Sequence, residues 1–267
     1  METGTVTQAA GAVPSICEGE VLSPSQARTF LSCAAKWYFR YVLGLREPKT
    51  GSLVLGSAFH KAITENFRQK IASGRDLAVE EVTSVYDDEW CNQLAEAELR
   101  DNEDRDELHR VGAALTEKYL TEAAATIQPA AVEQFVEGAI GGVKVQGYVD
   151  LLDTEGRIID LKTAAKKTTG ISHDYAFQLT SYTMITPGAT GECRLDTITK
   201  TKTIQIIQEP WRIGADDRRY AETMYPMIQD GMRTGLYIPN RAGFLCSRRF
   251  CGYWRRCERE FWGAVKE

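Results

Sequence analysis

The segment GYVDLLDTEGRIIDLKT, residues 147–163, decides the fold class. Two β-like runs, 143–152 and 157–161, are separated by the turn 153–156, whose Asp-Thr-Glu-Gly sequence is typical of a β-hairpin. Residues two apart on a strand point to the same face, so Asp160 and Lys162 are predicted to project together. Asp150 ends the first strand, across the hairpin from them.

Two acids and a lysine in this arrangement can bind a divalent cation through hard oxygen ligands. Such an ion would polarise a phosphate and lower the pKa of a bound water, while Lys162 holds the water or neutralises developing charge. Taken alone, Asp160 and Lys162 are explained equally well as a solvated ion pair. The flanking Ile158, Ile159 and Leu161 favour the metal, because an unpaired carboxylate in so apolar a strand is costly.

Helical and strand patterns surround this hairpin and predict one α/β domain over residues 22–267, after a flexible arm over 1–21. Ser23 as N-cap and Pro24 at the first helical position begin a helix with a continuous apolar face as far as Val42. Residues 77–126 are predicted to be a helical insert of two helices, broken near 101–106. The other predicted elements are helices 57–72, 173–185 and 215–234 and strands 132–136, 195–201 and 203–208.

Composition excludes several classes of protein. The 267 residues are 43% hydrophobic and 26% charged, close to the globular average, which argues against a disordered or fibrous chain. No apolar run approaches the roughly 18 residues of a membrane span, and no targeting signal is seen, so a cytoplasmic protein without a membrane partner is expected. Residues 76–107 hold 13 acidic and 2 basic residues, whereas 194–267 hold 9 acidic and 14 basic. The acidic residues are therefore segregated into one helical stretch, and the rest of the chain is near neutral or basic.

Five separated segments follow one another in a recognisable order. They are Leu22–Ser25 with Cys33, Gly56–His60, Gly147–Asp150, Ile159–Thr163 and Gln178–Tyr182. In this order they resemble the motifs of PD-(D/E)XK nucleases, and among these the RecB-like exonucleases of the CRISPR-associated and AddB types. The resemblance spans residues 22–257 and implies a restriction-endonuclease-like core, a mixed central sheet flanked by helices.

The resemblance implies a metal-dependent DNA exonuclease that acts on single strands or DNA ends, with a helicase, recombination or CRISPR-adaptation protein as a possible partner. It assigns Mg²⁺ or Mn²⁺ to His60, Asp150, Asp160 and the Leu161 carbonyl, and makes Lys162 the catalytic lysine. Gln178 and Tyr182, four apart on one helix face, would orient Lys162 and contact the DNA backbone. Without the resemblance, His60 would be interpreted as a core histidine, and Gln178 and Tyr182 as helix surface. Glu133 is either a further acid near the metal or an exposed strand glutamate.

Three cysteines crowd into twelve residues near the C-terminus, at Cys246, Cys251 and Cys257. Three thiolates need a fourth ligand for tetrahedral zinc or an iron-sulfur cluster. The resemblance implies that Cys33 is this ligand and that the set binds an iron-sulfur cluster of the 4Fe-4S type, with zinc as second choice. Residues 240–267 would then be a metal-binding tail packed on the N-terminal helix; three free thiols are the alternative. Cys17, Cys91 and Cys193 lack partners at metal-like spacing.

A DNA nuclease needs a basic path to its metals, because phosphate contacts dominate affinity. Candidates for this path are Lys166, Lys167, Lys200, Lys202, Arg248, Arg249, Arg255 and Arg256, with Tyr253 and Trp254 to stack on unpaired bases. Most such charges are ordinarily solvated. Two other functions compete: a non-catalytic DNA-binding or scaffold subunit of a helicase–nuclease assembly, and a zinc-stabilised interaction module. The intact set of acids, lysine and glutamine argues against the first.

Overall fold

The computed structural model describes residues 21–167 and 169–267, and most of the predicted N-terminal arm lies outside them. Five strands form one sheet in the order β1-β2-β3-β4-β5, in which β3 and β4 are parallel and the other neighbours antiparallel. The strands are β1 (Pro129–Ile140), β2 (Val143–Asp153), β3 (Ile158–Ala164), β4 (Glu192–Thr199) and β5 (Ile206–Arg212). The predicted mixed sheet and hairpin are confirmed.

Helices cover both faces of this sheet. They are α1 (Pro24–Ser32), α2 (Ala34–Trp37), α3 (Gly51–Ser73), α4 (Val79–Leu94), α5 (Arg105–Glu122), α6 (His173–Ile185), α7 (Ala215–Arg233) and α8 (Trp254–Phe261). One hydrophobic core lies between the sheet and α1, α6 and α7, and includes Val149, Phe177 and Tyr225. The other lies between the sheet and α3, α4 and α5, and includes Phe59 and Leu161. No described helix is long and apolar enough to cross a membrane.

The first helix is not continuous, contrary to the prediction. Ser23 does cap α1, accepting a hydrogen bond from the Gln26 amide, but α1 ends at Ser32. Cys33 follows in an extended conformation (φ −163°, ψ 104°), and the chain resumes as the short α2 and a π-helical turn over Tyr38–Val42. No Gly or Pro marks this break in the sequence, so the apolar periodicity hides it.

Other boundaries differ for local reasons. Helix α3 begins at Gly51, six residues before the predicted start, because the Glu103 carboxylate accepts hydrogen bonds from the Gly51 and Ser52 amides (3.0 and 2.9 Å). The last strand is displaced from 203–208 to β5, since the Thr199 hydroxyl accepts from the Gln205 amide and closes residues 200–205 into a loop. Between residues 77 and 126 lie two helices, α4 and α5, and the break between them covers 95–104 rather than 101–106.

The C-terminal tail packs against the segment that follows α1. Tyr253 is buried with Phe39 in a small core of its own, and its hydroxyl donates to the Leu45 carbonyl (2.8 Å). The Gly252 amide donates to Glu47 (2.7 Å). These contacts join positions more than two hundred residues apart in sequence.

Candidate active site

The ammonium of Lys162 lies among the oxygens of the β2–β3 hairpin. Its Nζ atom is 2.7 Å from Asp160 Oδ2 and 3.8 Å from Asp150 Oδ2, and donates to the Leu161 carbonyl at 3.0 Å. Asp150 is fixed in turn by the Leu161 amide, which donates to its Oδ2 at 3.0 Å. Three oxygens from two strands therefore surround one cationic nitrogen, as the same-face prediction for Asp160 and Lys162 requires.

Burial perturbs the titration of this pair. The Asp160 side chain is 6% exposed; burial raises its pKa to about 6, with the charge of Asp150 acting in the same direction and Lys162 opposing it. Burial alone would lower the pKa of Lys162, but the Asp160 and Asp150 carboxylates reverse the effect and raise it above its ordinary value. Lys162 is therefore a protonated cation at neutral pH.

His60 lies on α3, beside Asp150. Its Nδ1 atom is 3.9 Å from Asp150 Oδ2. Burial lowers the pKa of His60, and the nearby Lys162 adds to the shift, although Asp150 acts against it. The imidazole is therefore neutral at pH 7, the form that binds metals. Helix α3 comes this close to the sheet at Gly56, where a Cβ atom would lie 3.2 Å from Thr163 Oγ1.

Gln178 contacts Asp160 rather than Lys162. Its Nε2 atom donates to Asp160 Oδ1 at 3.0 Å, inside the protein. Arg28 on α1 donates from Nη1 to the other end of the amide, Gln178 Oε1, also at 3.0 Å. The Arg28 guanidinium also lies 4.9 Å from the centre of the Tyr175 ring, and Lys162 Nζ lies 6.0 Å from the same centre. Arg28 and Tyr175 are functional candidates that sequence reasoning missed.

Tyr182 lies on the same side of α6 as Gln178, as the spacing predicted, but it is buried, 9% exposed. Burial raises its pKa to about 12, helped by Asp150 and Asp160. Its ring packs on β2 at Gly147, where a Cβ atom would lie 2.9 Å from Tyr182 Cε1. Tyr182 therefore holds the helix against the strand that carries Asp150.

Glu133 on β1 belongs to the same neighbourhood. The register on either side of it, Val132 with Leu151 and Gln134 with Val149, places Glu133 opposite Asp150. Burial and the charge of Asp150 raise its pKa. Its φ of +48° is uncommon for a residue other than glycine, and such strain is concentrated at functional sites.

A groove of about 1120 Å³ leads into this site, with His60, Glu133 and Lys162 in its wall. Nine Lys and Arg residues and three Glu residues line it, so the groove is basic although the chain carries a net charge of −5. The basic residues are Lys36, Arg40, Lys61, Arg68, Arg100, Lys162, Lys200, Arg248 and Arg249. Phe250 and Trp254 add aromatic surface.

The predicted nucleic-acid contacts are only partly brought together. Arg248, Arg249, Lys200 and Trp254 line the groove, whereas Lys166, Lys167, Lys202, Arg255 and Arg256 do not. Lys200 and Lys202 lie in the loop that follows β4, not in a strand. The stacking role predicted for Tyr253 is wrong, since this ring is 5% exposed and its hydroxyl is bonded to the Leu45 carbonyl.

The hairpin oxygens fit a hard divalent cation, because carboxylate and carbonyl oxygens already surround a cationic nitrogen there and a neutral imidazole lies beside them. Within residues 21–167 and 169–267, no three His, Cys, Asp or Glu side chains are grouped ready to hold a metal ion. Lys162 Nζ lies between the Asp150 and Asp160 carboxylates, so an ion bound by both would require Lys162 to move away from them.

The four cysteines of the predicted cluster line a second cavity, of about 540 Å³. They are Cys33, Cys246, Cys251 and Cys257, and none forms a disulfide. Burial raises the pKa of Cys257 to about 11. Arg241 acts to lower this pKa, and the other three cysteines act to raise it. Cys193 is buried beside Thr183 and Cys91 is exposed, both apart from this cavity, and Cys17 lies outside the described residues.

The model of the PD-(D/E)XK nuclease superfamily matches residues 21–258, nearly the whole chain. The chain belongs to this nuclease superfamily. The mixed sheet with helices on both faces is accordingly a restriction-endonuclease-like fold, as predicted. Among curated proteins no sequence matches significantly.

One solved structure shares the fold: a proposed exonuclease from Eubacterium rectale superimposes with a TM-score of 0.54 at 16% identity, over 83% of this chain and 84% of its own. A second structure, SSO0001, matches 73% of this chain and 84% of its own at 15% identity, with a TM-score of 0.30.

Proposed function

We propose that this nuclease is a Mg²⁺- or Mn²⁺-dependent DNA exonuclease acting on single strands or DNA ends. The observation that carries the proposal is the convergence of Asp150, Asp160 and the Leu161 carbonyl on one cationic centre, in the wall of a basic groove. Superfamily membership supports phosphodiester hydrolysis, and the groove supports a polyanionic substrate.

In this proposal Asp150, Asp160, the Leu161 carbonyl and His60 hold the ion. The bound ion supplies Lewis-acid polarisation of the phosphate and a more acidic water. Lys162, displaced from the carboxylates, donates hydrogen bonds to the reacting phosphate or to the attacking water and stabilises negative charge there. Gln178 fixes the orientation of the Asp160 carboxylate through its 3.0 Å hydrogen bond.

The form of the substrate is proposed from the groove. Its basic residues suit the phosphates, and Phe250 and Trp254 present aromatic surface that unpaired bases can stack on. The Arg248 and Arg255 guanidinium groups lie 4.7 and 5.0 Å from the centre of the Trp254 ring, so one of them has to move before a base can stack on this ring.

The test is degradation of end-labelled single-stranded DNA with Mn²⁺ by anaerobically purified protein. We expect cleavage by the wild type and by Asp216→Asn, a matched change at an almost fully exposed aspartate on α7, and none by Asp160→Asn. Activity in Asp160→Asn would contradict the site. Binding of DNA without cleavage by any of the three would favour the non-catalytic scaffold subunit.

We also propose that Cys33, Cys246, Cys251 and Cys257 ligate an iron-sulfur cluster, with zinc as the alternative. Four cysteine sulfurs around one cavity support a soft-metal site. Iron-sulfur clusters and structural zinc ions are both held by four cysteine thiolates, so the cluster is preferred on the sequence resemblance alone. The site would link α1 to the tail and remove much of the freedom of the unfolded chain. A helicase, recombination or CRISPR-adaptation partner and a cytoplasmic location stay predictions from the sequence.

A further inference from the structure

Two large aromatic side chains lie exposed side by side on the β1–β2 hairpin. Phe135 is 47% exposed and Tyr148 is 58% exposed. Their ring centres are 5.5 Å apart and the planes are inclined at 63°, an edge-to-face contact. Cross-strand aromatic pairs also stabilise sheets, but contiguous exposed apolar surface marks interaction sites, whereas singly exposed hydrophobic residues do not.

The pair lies next to the catalytic acids. Phe135 and Tyr148 are direct partners in the β1–β2 register, and each is two residues from an acidic residue of the site, Glu133 on β1 and Asp150 on β2. A step of two residues along a strand is about 6.7 Å. The groove wall includes Glu133, so the aromatic pair begins where that wall ends.

Glu133 connects the pair to the basic groove. Lys61 and Arg68 on α3 line the same groove as Glu133. A strand of nucleic acid that leaves the groove past Glu133 along β1 reaches the two rings.

We propose that Phe135 and Tyr148 form a stacking platform for one unpaired nucleobase beside the scissile phosphate. The proposal rests on the proposed nuclease function and specifies how that site receives its substrate. Stacking on neutral rings is tolerant of sequence, because every base has a flat face. A base held in a duplex is not free to stack, so the platform favours single strands.

A protein partner fits this surface less well. The next pair on the same face of the hairpin, Glu137 with Gln146, is exposed and polar, so the apolar patch ends after the two rings in this direction. Stable protein interfaces bury far larger areas, about 800 Å² on each partner. Two rings beside a basic groove match the dimensions and chemistry of a single base.

The experiment measures binding without cleavage, in the Asp160→Asn background with Mg²⁺. Affinity for a fluorescein-labelled single-stranded oligonucleotide is measured by anisotropy, and stacking by quenching of a 2-aminopurine placed at each position in turn. Tyr148→Ala and Phe135→Ala are the test variants, and Tyr148→Phe is the conservative one. Tyr220→Ala is the matched control, since Tyr220 is 51% exposed on α7 and lines neither cavity.

We expect each alanine variant to weaken single-strand binding by about fivefold or more and to abolish quenching at one position. Tyr148→Phe and Tyr220→Ala should bind like the parent, and affinity for blunt duplex should not change. If the wild-type protein cleaves DNA but both alanine variants keep the affinity and the quenching of the Asp160→Asn parent, the platform is overturned and the nuclease proposal stands. Absence of any DNA binding by the wild type would overturn the nuclease proposal and the platform with it.

Discussion

Arg28 determines which end of the Gln178 amide faces Asp160. Its guanidinium donates to Gln178 Oε1 at 3.0 Å, which leaves Nε2 to donate to Asp160 Oδ1 at the same distance. A residue on α1 thereby orients a carboxylate on β3 without touching it. Groups that orient metal ligands in this way typically account for ten- to hundredfold in activity.

We expect Arg28→Met to lower kcat by about ten- to hundredfold while KM for DNA stays nearly constant, because the residue acts through Asp160. The Mn²⁺ concentration for half-maximal rate should rise. Arg28→Lys should recover part of the loss, and Arg219→Met, at an exposed arginine of α7, should have no effect. A rise in KM at constant kcat would instead make Arg28 a DNA contact.

Replacing Lys162 tests both its proposed catalytic role and its pairing with Asp160. Lys162→Met removes the cation beside the buried Asp160, so activity should fall by about a hundredfold or more. Stability at neutral pH should also fall, by about 3 kcal/mol, because a buried carboxylate is left unpaired.

That loss of stability should depend on pH in a defined direction. The folded-state pKa of Asp160 is already raised by burial and rises further without Lys162, so protonation stabilises the folded variant as pH falls. Urea unfolding of Lys162→Met at pH 7.5 and pH 5 measures this. A midpoint difference from wild type that grows on acidification would show that the two groups are not coupled as described.

The cysteine site is tested by its colour and composition. Anaerobically purified wild type should be brown and contain iron and labile sulfide. Cys251→Ser should lose both, with a Tm lower by about 5 °C or more, while Cys91→Ser, at an exposed cysteine of α4, should keep both. A colourless protein with one zinc ion would show that the site holds zinc. Unchanged metal content in Cys251→Ser would show that Cys251 is not a ligand and would contradict the four-cysteine site.

Glu103 supports the helix that carries His60. Burial alone would raise its pKa, but hydrogen bonds from the Arg100, Ser52 and Gly51 amides lower it overall. Glu103→Gln should cost about 1 kcal/mol at pH 7. A depressed folded-state pKa gives stability that is lost as pH falls, so the Tm gap to wild type should narrow below about pH 4. Thermal scans at pH 7, 5 and 3.5 measure this gap, and a constant gap would contradict the role of the charge.

The hairpin and its acids were predictable because the signals are local. A turn sequence and the two-residue period of a strand suffice to place Asp160 and Lys162 on one face, and the structure has them 2.7 Å apart. The Gly56 segment was found through resemblance, and its physical reason is the close approach of α3 to Thr163.

Long-range relations could not be predicted in this way. Arg28 and Gln178 are 150 positions apart, and their contact depends on how α1 packs against α6. The burial of Tyr253 likewise results from the docking of the tail. Periodicity within a segment reports which face is apolar but not what covers it.

The contact between α1–α2 and the tail has a consequence for synthesis on the ribosome. Arg28 and Cys33 leave the ribosome before Asp150 and Asp160, and Cys246–Cys257 and Tyr253 are made more than two hundred residues after Cys33. Phe39 therefore lacks its aromatic cover throughout most of translation. Completion of the small core around Phe39 is a late event, and a nascent chain stalled before residue 246 presents this ring to chaperones and proteases.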